Sequence, residues 1–592
     1  MPLPKTDRSA FCVLCLLLTS CFTGALHPET QVVGTQAELF SALEQIKAGE
    51  TVQLASGTWE DLNLVLDMEG TEEAPIHIIG AADGSTVITG ISSIQIGGDH
   101  IEIANLHFRN AEPPENSRTR NQVSQGVVYE PVNRARVGGQ RDALVQFRIG
   151  KEDYAQHCRM TNCWFEDCNP ADPDRRYMWV RLYGREHRID HNLFSGMEHR
   201  GVIIQAVIVE DDAQHRIDHN HFLDRAPGDR NSFETIQFGH SYHSEKDGNS
   251  IIENNLFEAC DGETEIISVK TCGNIIRGNI FYRSRGTLTL RHGDNNLVEG
   301  NSFLGENKAG AGGIRIIGRN HRVANNYFEG VSGTTGATIV IYTGIPDSPL
   351  NGYFEAHNAV VENNFIYNAH GNGIHLNGGY GARGRTLFPK NVTVANNLIH
   401  LSSNSPVQII GELDDATLTG NVLAEGNETG QRRMEGFTVK KLSFERKDDG
   451  FLTALDETGS AVFEFSGQAP RLLERSEVGP NWLSPLKPLG TWNPDSTAHP
   501  DQITRPRLTP HARSDSEELL AGNRSRAANL ESSFQPIGEN PSKHSANRPA
   551  TNAANGYRGL AYQNAPQRAV AAHRSRVYPR AEKQLGPTKP LR

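Results

Sequence analysis

A short pattern recurs along most of this chain and limits what it can fold into. A β-branched or apolar alternation runs into an Asn, and an apolar pair follows. It first appears as Ile-Ala-Asn105-Leu-His-Phe108 and returns as Ile-Asp-His-Asn192-Leu-Phe194 and Ile-Asp-His-Asn220-His-Phe222. Further copies centre on Asn255, Asn279, Asn301, Asn326, Asn364 and Asn397, and Leu-Thr-Gly-Asn421-Val-Leu423 is the last clear one. Most intervals fall at roughly 22–28 residues, within the range of solenoid repeats, and the longer ones imply loops inserted between strands.

Each copy alternates with period two, so it encodes short strands and not helices. Asn tolerates the left-handed backbone that a sharp corner between strands needs. Stacked Asn side chains in successive coils can also form a hydrogen-bonded ladder. The Phe, Leu and Ile that follow would stack inside the coil. The expected fold is all-β, a right-handed parallel β-helix over residues 27–426. A β-propeller fits less well, because its blades are longer and carry their own signature. Gly is abundant and aromatic residues are few, as suits short strands and tight turns.

A solenoid needs capped ends. Thr35 reads as the N-cap of a helix over 36–47, with Leu39, Phe40, Leu43 and Ile46 on one face. That helix would close the N-terminal end. Residues 427–493 hold a few strand-like runs, read as a C-terminal β cap or appendage. Residues 494–592 are rich in Ser, Asn, Pro, Ala and Arg, the composition of a disordered, mildly basic tail.

At the other terminus, Lys5 and Arg8 precede an apolar run too short to span a bilayer. Residues 1–21 therefore read as an export signal. Leu18-Thr19-Ser20-Cys21 resembles a bacterial lipoprotein box, which would make Cys21 the lipidated N-terminus; ordinary cleavage near Ala25 is the alternative. Either way the protein is expected outside the cytoplasm, periplasmic, anchored at the outer membrane or secreted. Cys158, Cys163, Cys168, Cys260 and Cys272 remain, read as buried thiols with room for one bridge.

The stretch richest in chemistry is Asp261-Gly-Glu263-Thr-Glu265-Ile-Ile-Ser-Val-Lys270, followed one coil later by Arg291-His292-Gly293. Glu263 and Glu265 are two apart, so on a strand their carboxylates share a face. Adjacent carboxylates repel unless one is protonated or a cation lies between them. The preceding coil offers Asn231 and Glu234, and stacked coils lie about 4.8 Å apart, so oxygens from neighbouring coils could share one Ca²⁺. A solvated outer face is the bland alternative for Glu-x-Glu.

Taken together, Asn231 to Gly239, Glu263 to Lys270 and Arg291-His292-Gly293 resemble the signature of polysaccharide lyase family 6, the alginate lyase and chondroitinase B type. The resemblance spans roughly residues 30–425. It implies a lyase that cleaves a uronate-containing polysaccharide by Ca²⁺-assisted β-elimination, alginate first and dermatan sulfate or chondroitin second. It implies Ca²⁺ ligands at Asn231, Glu234, Glu263 and Glu265, a general base at Lys270 and a general acid at Arg291. His292 and, as a weaker match, Arg315 would contact substrate. Asn231-Ser-Phe-Glu234 departs from the family's Gly-rich form, which bears on local loop shape.

The chemistry is consistent. Elimination removes a weakly acidic proton beside a carboxylate, and a cation neutralises the charge that develops. Arg is a poor proton donor, so charge stabilisation is the sounder physical role for Arg291. The formal net charge of −12 does not exclude a polyanionic substrate, since a cleft can be locally basic on an acidic body. No nucleic acid partner is expected.

Competing readings remain open. A β-helix glycoside hydrolase needs paired acids, for which Asp211 and Asp212 are the candidates, although Glu210-Asp-Asp also reads as an acidic loop. A polysaccharide-binding scaffold without activity, or an epimerase that abstracts the same proton, would share the repeat. His375 and Tyr380 could line the far end of a cleft, and His199 and Arg200 the near end. The insertions at 113–139 and 378–389 could close the groove.

Overall fold

In the repeat, every second side chain is apolar and every coil returns to the same register, so strands can pair only with their counterparts in neighbouring coils. The computed structural model describes residues 30–114, 142–333, 335–401, 405–413, 415–425 and 435–483, and shows this arrangement. Three long parallel sheets run the length of a β-helix. Sheet I has 14 strands, from Thr30–Val33 to Thr417–Thr419. Sheet II has 14, from Gly57–Glu60 to Phe437–Lys440. Sheet III has 12, from Asn63–Leu66 to Val407–Ile409. One coil supplies each in turn, as in Ile251–Glu253, Leu256–Cys260 and Glu265–Lys270.

The corner between sheets I and II divides two jobs that the sequence pattern merges in one Asn. The left-handed residue is the one before the repeat Asn: His191, His219, Asn254, Asn325, Asn363 and Asn396, with Gly278, Gly300 and Gly420 in other coils. The repeat Asn itself forms the ladder. Asn192 donates Nδ2 to Asn220 Oδ1 at 3.0 Å, and the chain continues through Asn255, Asn279, Asn301, Asn326, Asn364 and Asn397 to Asn421. Every member is fully buried, so each amide must be satisfied by its neighbours. Asn105 belongs to the other column. Its φ is 58°, and pairing of Ala104 with Thr161 aligns it with left-handed Asn162, leaving Leu106 at the ladder position.

Inside the coil Phe108, Phe165, Phe194, Phe222, Phe257, Phe281, Phe303 and Phe328 stack in one column. Their successive ring centroids are 4.4–5.2 Å apart. Offset stacks of this kind add to the burial of the rings.

The N-terminal helix α1 spans Gln36–Leu43, with Thr35 as N-cap and a reciprocal capping box to Glu38. It is one turn shorter than the sequence suggests. Glu50 N–H closes a turn onto Lys47 O, with Gly49 at φ 84°, and this turn feeds the chain into strand Thr51–Leu54. Ile46 still packs on the core.

After the repeat fades, Phe437–Lys440 adds one more parallel strand to sheet II. A hairpin, Ser443–Arg446 with Leu452–Leu455, then lays Phe444 and Phe451 on the outward side chains of that sheet, among them Leu256, Ile280, Tyr327, Phe365 and Leu398. From there the chain runs back along the solenoid. Ser466 N–H bonds Asn325 Oδ1, Arg475 pairs with Glu258, Gly479 N–H bonds His219 O, and Trp482 Nε1 bonds Asn162 O. This return strap covers the apolar outer face of sheet II.

The five cysteines among the described residues are free and buried, so none of them bridges to another. Cys158, Cys163 and Cys168 stand before, between and after strands Arg159–Thr161 and Trp164–Glu166 of one coil, and all three belong to the interior core. The export signal, Cys21, most of the 113–139 insertion, the boundary at 426 and the tail from 494 lie outside the described residues.

Candidate active site

The outward side chains of sheet III form the floor of a cleft. Register pairing aligns Gln205, Gln237, Ser268, Thr289, Arg315, Val340 and His375 in one row across successive coils. Small hydroxyls at Ser268 and Thr289 keep the middle of the floor low, and the larger Gln237 and Arg315 stand on either side. Two register shifts flank this middle. One leaves Ile266 as an extra residue after Glu265. The other pairs Lys270 with His292 and leaves Arg291 as the extra residue. Such bulges re-aim side chains, and here they turn Glu265 and Arg291 towards the same space.

The cleft has a volume of about 700 Å³ and gathers Asn231, Glu234, Glu263, Glu265, Lys270, Arg291 and Arg315. Glu263 lies in the turn before its strand and not on the strand with Glu265, yet both face the cleft. Lys270 Nζ is 3.6 Å from Glu234 Oε1. Glu265 is bound by Arg315 and by the Ser268 hydroxyl, with Arg291 Nε 3.9 Å away. Phe233, next to Glu234 in the chain, is held in place by an arginine. Buried Arg225 donates to the carbonyls of Met197, His199 and Gly201 and stacks on Phe233, 4.8 Å from the ring centre.

The electrostatics separate the two neighbouring glutamates. Burial, then the charge of Glu234 and the hydrogen bond that the protonated Glu263 donates to it, push the Glu263 carboxyl up to about 9. Burial acts in the same direction on Glu265, but Arg315, Lys270, Ser268 and Arg291 together hold it below its ordinary value. Burial, reinforced by Arg291, Lys270 and Arg315, drives His292 down to about 2, so it is neutral at working pH. Arg291 Nη1 lies 3.3 Å from His292 Nδ1. Arginine only donates, so Nδ1 accepts and Nε2 carries the proton. That Nε2 is buried and has no partner among the described residues, as is Glu234 Oε2.

These features fit a Ca²⁺ ion. The donors are hard oxygens, one carboxylate oxygen is orphaned, and Glu263 can ionise at neutral pH only if positive charge compensates it. Asn231 is exposed on the rim, with its side chain available. A second trio, Asp99, His100 and His157, has ligand atoms all within 4.8 Å of one another. Its histidine rings stack 15° from parallel, 4.6 Å apart, and both Nδ1 atoms bond Asp99 Oδ1, so the three groups are already engaged with one another.

Asp211 and Asp212 stand on an exposed corner. Asp211 accepts from Asp247 N–H and Lys246, and Asp212 from Asn249 and Gln214. This is the acidic-loop arrangement, away from the cleft. His375 continues the floor row two coils beyond Arg315. Tyr380 is exposed and stacks on Phe388. Arg200 lines the cleft, whereas His199 is buried against Tyr177.

The repeat pattern misses several lining groups. Tyr353 supports Arg291, whose Cζ lies 4.3 Å from the ring centre, while Gly352 O accepts from Arg291 Nη1 at 2.8 Å. Arg176, His240, Tyr242 and Arg383 also face the cleft. The one sequence signal for Tyr353 is the 38-residue interval between Asn326 and Asn364, which marks an insertion.

Comparison with known proteins agrees with this architecture. No curated protein matches the sequence. The family 6 alginate lyase AlyGC has a solved structure that matches with a TM-score of 0.68 and 31% identity, over 78% of this chain and 60% of that one. This chain thus spans 60% of that relative's length. A mannuronic acid specific family 6 lyase from human gut microbiota matches with a TM-score of 0.61 and 27% identity, over 70% of this chain and 91% of its own. The family 6 lyase Pedsa3628 from Pseudopedobacter saltans, at 22% identity and a TM-score of 0.60 over 76% and 99% of the two chains, shares the fold. The model of the chondroitinase B family matches residues 33–137 and 136–467. The chain therefore belongs to the chondroitinase B family, the group of the family 6 polysaccharide lyases.

Proposed function

We propose that this protein is a polysaccharide lyase that cleaves a uronate-containing polyanion by β-elimination, with alginate as substrate. The observation that carries the reading is the charge of the cleft. Arg176, Arg200, Lys270, Arg291, Arg315 and Arg383 line it, against three clustered carboxylates, on a chain of net charge −12. A groove of this kind concentrates a polyanion and holds it by its carboxylates.

Lys270, as the free amine, removes the proton beside the uronate carboxylate. Arg291 stabilises the charge growing on the departing glycosidic oxygen, and water or Arg291 itself delivers the proton. His292 is neutral and buried, and its Nδ1 accepts from Arg291, so its role is to orient that guanidinium instead of touching sugar. Arg315 clamps a carboxylate. Asn231, Glu234, Glu263 and Glu265 would hold Ca²⁺, which when bound neutralises the carboxylate charge of the sugar undergoing elimination. Dermatan sulfate or chondroitin is the alternative substrate to alginate, supported by the match to the chondroitinase B family. The apolar leader and Cys21 support export and a lipid anchor, which the mass of the mature N-terminus checks.

Purified protein should convert alginate to unsaturated oligosaccharides, detected by near-ultraviolet absorbance. Lys270→Ala should lose at least ~10³-fold in rate with folding unchanged. An active Lys270→Ala variant would contradict the assignment of the base.

A further inference from the structure

Two insertions meet behind the cations of the cleft. Residues 343–358 carry Tyr353, and residues 379–389 carry Arg385. The Tyr353 ring centre lies 4.3 Å from Arg291 Cζ and 4.7 Å from Arg385 Cζ. The Tyr342 ring, at the end of strand Ala337–Tyr342, lies 5.5 Å from Arg385 and 5.6 Å from Arg315. The result is an unbroken alternation: Arg315, Tyr342, Arg385, Tyr353, Arg291.

Arg385 is the middle of this chain and the least expected member. It is buried, and among the described residues no carboxylate pairs with it. Its Nε donates to Gly379 O at 3.0 Å, and the rest of its charge faces two aromatic rings. A Cβ at residue 379 would sit 2.8 Å from Arg385 Nε, and φ there is 71°, so glycine is what admits the guanidinium. A buried charge without an anionic partner is costly. Here it lies between rings whose negative faces also meet the two cleft arginines.

We infer that Arg385 is a positioning residue for the elimination: through Tyr353 and Tyr342 it fixes the guanidinium planes of Arg291 and Arg315. It lies outside the set of groups lining the cleft and acts only through them. Arg291 and Arg315 share one carboxylate, Glu265, with the unpaired Arg385 between the two rings, and those rings keep the guanidiniums in register instead of splaying. The inference rests on the lyase reading.

The test is a double-mutant cycle of Arg385→Ala and Tyr353→Leu, with Arg385→Lys alongside and melting temperatures throughout. Each single change should lower kcat by ~10- to ~100-fold, the scale of a small misplacement of a reacting group, and leave KM within about twofold. The double variant should be no worse than the poorer single, because both act on one path. Arg385→Lys, which keeps charge against the rings, should recover most of kcat. Unchanged kcat in Arg385→Ala, or losses that multiply in the double variant, would overturn the inference. So would a lysine variant no better than alanine. If the wild type makes no product from any uronate polymer, the lyase reading fails. A crystal structure of Arg385→Ala then decides separately: displaced Arg291 and Arg315 guanidiniums support the positioning role, and unmoved ones refute it.

Discussion

At the scale of single residues, the cleft sets opposite demands on chemically identical groups. Glu263 and Glu265 are two residues apart, but Glu265 has Arg315, Lys270 and Arg291 about it, whereas Glu263 has Lys270 set against Glu234 and Glu265, so burial wins at Glu263. A carboxyl raised from its ordinary 4.5 to about 9 binds a proton in the folded state that the unfolded chain has released. Stability conferred by the protonated form is thus complete below the ordinary value and is lost as pH rises towards about 9. In chelator, the melting temperature should fall over that window, and Glu263→Gln should flatten the fall. The same proton must leave before a cation binds, so apparent Ca²⁺ affinity by calorimetry should rise with pH across the window. Affinity independent of pH would remove Glu263 from the ligand set. Lys270, Arg291 and the glutamates were legible in the sequence because they stand on, or just before, consecutive strands of one sheet. Tyr353 and Arg385 were not, because they come from insertions that carry no repeat and meet only in three dimensions.

At the scale of elements, the ladder and the Phe column explain why the solenoid holds its register. Asn279 is buried and bonds the carbonyl of Ile252 and the amide of Asn301, and it accepts from Asn255. Asn279→Leu should cost roughly 1–3 kcal/mol by leaving neighbouring polar groups unsatisfied. Phe281→Ala, in the column beside it, should cost roughly 3–5 kcal/mol. Denaturant unfolding measures both, and a neutral Asn279→Leu would show that the ladder is incidental. The repeat motif announced the ladder, but it could not separate the ladder Asn from the left-handed residue before it. Both positions accept Asn, and only the strand pairing shows that Asn105 belongs to the second column. The bulges at Ile266 and Arg291 were equally hidden, since a strict period-two reading cannot contain an extra residue.

At the scale of the whole molecule, the chain reads as one repeated wall with a chemical groove on sheet III and a covered face on sheet II. The return strap was the least legible part. Its contacts pair residues more than a hundred positions apart, such as Arg475 with Glu258, and no local pattern announces them. Ending the chain at residue 441 would bare Leu256, Ile280, Tyr327, Phe365 and Leu398, each worth roughly 1.5–3 kcal/mol when buried. Such a truncated protein should aggregate or melt well below the full chain in calorimetry. An unchanged melting temperature would make the strap an ornament. The central claim concerns the groove, and the most direct measurement is near-ultraviolet absorbance of reaction mixtures containing the full-length protein. Alginate, polymannuronate, polyguluronate and dermatan sulfate would be compared with Ca²⁺ and with chelator. The account predicts a rise on alginate that chelator abolishes and that Lys270→Ala never shows. Shortened chains without that absorbance, or none of the four polymers cleaved by folded protein, would contradict it.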